Sequence, residues 1–207
     1  MDVAAAPESM FSNIRTLPNA ITLARLLCLP IFLYVLFELE DRAAAAWILG
    51  ALGATDWVDG YLARRLNQVS EFGKVFDPTV DRLLFIVALT ALIIDDAIPI
   101  WFAVAVLARE LLVGAMMVIA TLVYKMPRLD VTYLGKVATL LLMFAVPGFL
   151  LGSSDVSVAA WFEAAAWILG LPGLALSIWT GLAYVPQVRA GIAAGKSARA
   201  HQVPPEG

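Results

Sequence analysis

Apolar residues run along this chain in six blocks, and with their polar edges these read as six membrane-spanning helices of about 20 residues. The first covers residues 20–37, with Arg25 as its single charge. The second opens on the alanine run at 43–46 and continues until it meets Asp56 and Asp59. The third carries Asp77 and Asp81 and then turns wholly apolar over 83–94, while the fourth, 98–124, encloses Arg109 and Glu110. The fifth, 131–151, has Lys136 near its start, and the sixth, 158–188, is long enough to need tilt or a bend, for which Pro172 supplies a reason. The pattern predicts an all-α, polytopic integral membrane protein with six transmembrane helices.

Composition agrees. Of 207 residues, 61% are apolar and 15% charged, and the mean hydropathy of +0.85 is wrong for a water-soluble core. One cysteine, Cys28, and one histidine, His201, exclude a Cys/His zinc site and a His-dependent triad. The net charge of −3 says little, and no nucleic-acid partner is expected. The placement of charge says more. Arg15, Arg64, Arg65, Lys74, Lys125, Arg128, Arg189, Lys196 and Arg199 all fall on one side of a six-span layout. The other side holds Arg42 beside Glu38, Glu40 and Asp41, and the pair Asp95–Asp96. Basic residues mark the cytoplasmic side, so both termini are expected there, in a multi-pass protein of the cell membrane. Thr16-Leu17-Pro18-Asn19 leads straight into a full-length span, unlike a cleavable signal peptide. Residues 1–189 read as one transmembrane domain and 190–207 as a flexible cytoplasmic tail. No internal repeat of the inverted-transporter kind stands out.

The chemistry gathers at the cytoplasmic edge. Asp56, Asp59, Gly60, Ala63 and Arg64 share one helical face near the end of the second span. Gly73, Asp77 and Asp81 repeat at intervals of four along the start of the third. The loop between is short, which predicts antiparallel neighbours whose acidic faces meet. Paired with Arg64, Arg65 and Arg82, the aspartates would be structural; four on two facing helices point instead to function, because ionisable groups at membrane depth are costly. Clustered carboxylates repel unless cations neutralise them, and oxygen ligands suit Mg²⁺, Mn²⁺ or Ca²⁺. Two divalent ions would balance four charges and could serve displacement at phosphorus. Gly60, Ala63 and Gly73 leave the helix faces bare, either for a ligand's approach or for close helix packing.

The run Asp56-x2-Asp59-Gly60-x2-Ala63-Arg64-x8-Gly73-x3-Asp77-x3-Asp81 resembles, at every position, the signature of the CDP-alcohol phosphotransferases, integral membrane enzymes with six transmembrane helices. The resemblance implies that Asp56, Asp59 and Asp77 ligate one divalent ion, Mg²⁺ or Mn²⁺. Asp56, Asp77 and Asp81 would surround a second, with Asp81 also the general base. It implies that Gly60, Ala63, Arg64 and Gly73 contact the cytidine diphosphate of the donor. Asn19, Thr22 and Arg25 would lie near the donor phosphates, although Arg25 could equally be a snorkelling residue. A homodimer, CDP-diacylglycerol as donor, transfer of its phosphatidyl group to an alcohol acceptor and release of CMP are implied as well, with the active site facing the cytoplasm. Within the family, Leu17-Pro18-Asn19, Thr55-Asp56-Trp57, Phe76-Asp77-Pro78 and Ala108-Arg109-Glu110 look most like phosphatidylglycerophosphate synthases and CDP-diacylglycerol-dependent cardiolipin synthases. Many such synthases have lysine after the last aspartate, where this chain has Arg82.

Arg109 and Lys136 match positions that hold the acceptor phosphate in the family. Arg109 lies roughly 16 Å along the fourth span from its outer end, a depth that requires an anionic partner or a watery cavity. Glu110, adjacent in sequence, projects from a different part of the helix and is expected to be a poor partner; a motif aspartate is the alternative. A membrane cation transporter is the rival class, but it would spread acids along a path instead of gathering them at one edge.

Overall fold

The structure, a computed structural model, describes residues 16–66, 73–122 and 132–200, and the side chains of these except 18, 56–66, 74, 75, 78, 117, 120–122 and 187–200. Six α-helices follow in chain order: α1 Leu17–Phe37, α2 Arg42–Leu66, α3 Gly73–Ile94, α4 Ile100–Leu122, α5 Tyr133–Gly152 and α6 Ala159–Ala200. Each coincides with one of the six apolar blocks. Among the described residues three of them, over Asn19–Phe37, Tyr133–Gly152 and Ala159–Pro186, are long and apolar enough by length and composition to cross a membrane. The helix α6 continues to Ala200, past the end expected near 188, and runs through Pro172 and Pro186. Its extension contains Ala190, Ala193, Ala194 and Ala198, and alanine is the strongest helix former.

The helices close a ring. Among the described residues α1 packs on α2 and α3, α2 on α5, α5 on α6, α6 on α4 and α4 on α3. The expected meeting of the acidic faces of α2 and α3 falls on Asp56, Asp59 and their neighbours, whose side chains lie outside the described residues; α1 packs against both helices, and its buried polar residues face the acids of α3. The ring encloses an apolar core in which Phe32, Leu36, Leu89, Leu92, Phe102 and Leu150 are fully buried. Phe102, Phe149 and Trp167 join α4, α5 and α6 with ring centroids 5.0–6.0 Å apart.

At one end the connections 38–41, 95–99 and 153–158 meet around Arg42. Its Nε pairs with Asp95 Oδ2 at 2.8 Å, its Nη2 donates to the Asp95 carbonyl at 2.7 Å, and its Nη1 donates to the Ser153 carbonyl at 2.9 Å. One guanidinium thus ties three connections together. A cavity of about 710 Å³ opens beside it, lined by Glu40, Asp41, Asp95 and Asp155 among others.

The most extensive packing is between α5 and α6. It depends on small residues, since helices in an apolar solvent associate chiefly through close van der Waals contact. A Cβ at Gly148 would sit 3.2 Å from Ala166 Cβ, and one at Gly152 only 2.8 Å from the backbone N and Cα of Glu163. Main-chain atoms of a packed helix cannot swing aside. Gly152→Ala should therefore destabilise the protein by about 1–3 kcal/mol, read as a lower thermal midpoint in detergent. Gly50→Ala is the control, because a Cβ there meets nothing within 4 Å. Equal midpoints for the two variants would contradict this account of the α5–α6 contact.

Candidate active site

The polar start of α1 is set by its cap. The Thr16 hydroxyl accepts from the backbone N–H of Asn19 at 3.4 Å, and a proline follows in the first turn, where a missing N–H costs nothing. Fixing the start fixes the helix rotation, so Asn19, Thr22 and Arg25, three residues apart, lie along one face. That face is buried: Thr22 is 0% and Arg25 4% exposed.

It meets the acidic face of α3. Thr22 Oγ1 donates to Asp77 Oδ1 at 2.7 Å, and Arg25 Nη1 pairs with Asp81 Oδ1 at 2.8 Å. Moving one turn along α1 moves one turn along α3 in the same sense, so the two helices run parallel. Gly73, also buried, begins this stripe. Arg25 does not snorkel; it is enclosed and ion-paired, while the Asp81 side chain remains 37% exposed. Asn19, Thr22, Arg25, Gly73, Asp77 and Asp81, all anticipated from sequence, are thus brought to one place. Asp56, Asp59, Gly60, Ala63 and Arg64 belong to α2 by backbone, but their side chains lie outside the described residues. Consequently no group of three acidic, histidine or cysteine side chains converges among the described residues. The donor chemistry present is carboxylate and hydroxyl oxygen, which fits a hard divalent cation better than a soft one.

A second polar layer lies between α3, α4 and α6. Arg82 does not serve the aspartates of its own helix: its Nε pairs with Glu110 Oε1 on α4 at 3.1 Å. The other oxygen, Glu110 Oε2, takes Arg109 Nη1 at 2.8 Å. Arg109 Nε donates to the Ser177 carbonyl of α6 at 3.1 Å. This corrects the expectation that Glu110 is a poor partner for Arg109. Successive helix positions diverge at Cβ, but an arginine stem is long enough to fold its guanidinium back across that angle.

Lys136, in the first turn of α5, is exposed, and its ammonium makes no ion pair among the described residues; the structure does not join it to Arg109. The start of α5 is nonetheless fixed from α6. Thr132 accepts from the Gly135 N–H at 3.2 Å, while its own N–H donates to Tyr184 Oη at 3.1 Å. Ser177, Thr180 and Tyr184 form a buried polar track within a largely apolar stretch of α6. Sequence reasoning passed over it, although the spacing of three and four was the available signal.

The α1–α3 contact gives an asymmetric prediction. Asp81→Ala removes the ion pair of a buried guanidinium and should cost on the order of 2–3 kcal/mol. Asp77→Ala removes one hydroxyl bond and should cost about 1 kcal/mol. Thermal unfolding in EDTA, where bound metal does not enter, checks the order. A larger loss for Asp77→Ala would refute the Arg25–Asp81 pair as the main anchor.

Comparison with known proteins places this arrangement. The family model for CDP-alcohol phosphatidyltransferase matches residues 15–179, a segment from the α1 cap through the Ser177 turn of α6. A Streptomyces coelicolor protein named cardiolipin synthase (CMP-forming) is 35% identical over 182 residues, covering 86% of this chain and 84% of the relative. The CDP-diacylglycerol–glycerol-3-phosphate 3-phosphatidyltransferase of Escherichia coli is 31% identical over 182 residues, covering 85% of this chain and 96% of the relative. That of Bacillus subtilis is 36% identical over 149 residues, covering 65% and 76%. With the α1–α3 acid face and a match over most of its length, the chain belongs to the CDP-alcohol phosphatidyltransferase family.

Proposed function

We propose that this protein transfers the phosphatidyl group of CDP-diacylglycerol to a phosphate-bearing alcohol, with glycerol 3-phosphate the leading acceptor, and releases CMP. The observation that carries the reading is the buried α1–α3 layer, where Thr22 and Arg25 hold Asp77 and Asp81 on one face. Relatives named for the glycerol 3-phosphate reaction support that acceptor. The Streptomyces relative supports phosphatidylglycerol as the second reading. The six helices are proposed to span the cell membrane with both termini and the acidic face on the cytoplasmic side, in a homodimer. The three connections gathered by Arg42 would then lie on the opposite side.

In the reaction, the acceptor hydroxyl oxygen attacks the lipid-side phosphorus. The bond from that phosphorus to the bridging oxygen breaks, and the electron pair leaves with CMP. Asp56, Asp59, Asp77 and Asp81 would hold two divalent cations, Mg²⁺ or Mn²⁺, which when bound supply positive charge to the diphosphate. Gly60, Ala63, Arg64 and Gly73 would border the nucleotide. Asp81 takes the hydroxyl proton late, as the attacking oxygen becomes acidic. Arg25 keeps the Asp81 carboxylate in place, with its exposed side turned toward the reacting atoms. Arg109 and Lys136 would bind the acceptor phosphate; a guanidinium suits it through paired N–H donors.

Two measurements test this on the purified full chain in nanodiscs, following CMP release. Asp56→Asn, Asp59→Asn, Asp77→Asn and Asp81→Asn should each lower turnover by about 100-fold or more. EDTA should abolish activity and Mg²⁺ or Mn²⁺ restore it; full activity in chelator sinks the metal reading. Arg109→Ala and Lys136→Ala should raise the acceptor KM about 10- to 100-fold and leave the donor KM within about twofold of the wild-type value. Offering glycerol 3-phosphate and phosphatidylglycerol separately decides between the two acceptors.

A further inference from the structure

Arg82 and Arg109 sit on antiparallel helices at similar depth, roughly 18 Å and 14 Å from the Arg42 end of α3 and α4 at 1.5 Å per residue. Between them stands one carboxylate. Glu110 gives Oε1 to Arg82 and Oε2 to Arg109, so the trio carries a net charge of +1. The two guanidiniums are not used up by these contacts. Arg82 donates only Nε, and Arg109 donates Nε and Nη1, to the Ser177 carbonyl and Glu110. Among the described residues, nothing accepts from Arg82 Nη1 and Nη2 or from Arg109 Nη2. The Arg82 side chain is 40% exposed, midway along a helix whose outer half is apolar. A cation at that depth calls for an anion or a watery cavity.

Gly114, one turn beyond Glu110, completes the arrangement. A Cβ there would lie 2.6 Å from Arg82 Nη1 and 3.0 Å from its Cζ, so the Arg82 head occupies the space the missing side chain leaves. The obstacle in this case is the far end of a flexible side chain. An added methyl group would therefore displace Arg82 and leave the helices in place.

We propose that Glu110 is a positioning residue of the acceptor site, aligning Arg82 and Arg109 side by side through the gap at Gly114 so that their remaining N–H groups meet the acceptor's phosphate. The proposal rests on the acceptor reading of Arg109 given above and extends it to three residues outside that reading: Arg82, Glu110 and Gly114. The carboxylate separates two like charges that would otherwise repel, and it fixes Arg82 by Nε and Arg109 by Nη1. The ligand chemistry is a phosphate anion, either the monoester of glycerol 3-phosphate or the diester of phosphatidylglycerol.

The test uses the full chain in nanodiscs and compares wild type with Glu110→Gln, Glu110→Asp, Gly114→Ala and Arg109→Ala. KM for glycerol 3-phosphate, phosphatidylglycerol and CDP-diacylglycerol is measured alongside the thermal midpoint. Glu110→Gln and Gly114→Ala should each raise the KM of the productive acceptor about tenfold, with the donor KM unmoved and partial recovery in Glu110→Asp. The acceptor whose KM moves identifies the source of the phosphate. A purely structural Glu110 predicts the opposite split, a lower midpoint with an unchanged acceptor KM, and that result overturns the proposal. Should Glu110→Gln fail to fold, Gly114→Ala decides alone, since it removes no polar group. If Arg109→Ala leaves the acceptor KM unchanged, the acceptor reading itself fails. If Arg109→Ala raises it while Glu110→Gln and Gly114→Ala do not, that reading stands and the positioning role is refuted.

Discussion

A guanidinium only 4% exposed inside an apolar bundle constrains everything near it. Arg25 cannot be solvated where it sits, so a carboxylate has to be delivered to it, and Asp81 is delivered at 2.8 Å. That single pair sets the rotation and the register of α1 against α3. Once Arg25 meets Asp81, Thr22 falls beside Asp77 one turn earlier, because parallel helices repeat their contacts with the same period. The same pair holds α1 against α3.

The two ends of the ring are held by different means. At the Arg42 end, one side chain reaches the connections before α2, before α4 and after α5, through Asp95 and two backbone carbonyls. Ion pairing there is local and ties loops. At the other end the anchoring groups are helix caps: Thr16 for α1 and Thr132 for α5, the latter fixed in turn by Tyr184. Caps fix where a helix begins and therefore which residues share a face. The polar side chains of α1 depend on that rotation for their aim. The aromatic cluster of Phe102, Phe149 and Trp167 supplies the dispersion contact that keeps α4, α5 and α6 together between the two ends.

Much of this was legible in the chain. The six helices follow from blocks of apolar residues, and the stripe Gly73, Asp77, Asp81 follows from intervals of four. What hydropathy could not supply was the order of the helices around the ring, because an apolar block does not say which other block its faces meet. Nor could spacing rules predict Arg109 with Glu110. Those rules describe Cβ directions, and they hold for short side chains better than for one with four rotatable bonds. The polar track on α6 was hidden for another reason. Ser177 and Thr180 turn their hydroxyls back to carbonyls of their own helix, so they cost little in an apolar setting and leave the hydropathy signal intact. What they expose is a carbonyl, and the Ser177 carbonyl is what Arg109 uses.

Helix α3 is the element on which both polar layers depend. Asp81 and Arg82 are consecutive, about 100° apart around the helix axis, and they serve different neighbours. Asp81 turns to Arg25 on α1, and Arg82 turns to Glu110 on α4. A single step along the chain thus separates an acidic side from a cationic side, which the proposed function assigns to a metal-bound diphosphate and to a phosphate-bearing acceptor. Holding the two on one rigid helix fixes their distance without any loop, which is the condition for bringing two anionic substrates together in a productive orientation. Opposite charges on adjacent residues would ordinarily attract each other. Here each is drawn outward by a closer partner on a different helix, so the ring itself maintains the separation of charge. Loosening either α1 or α4 would let Asp81 and Arg82 relax toward one another, and both layers would fail together.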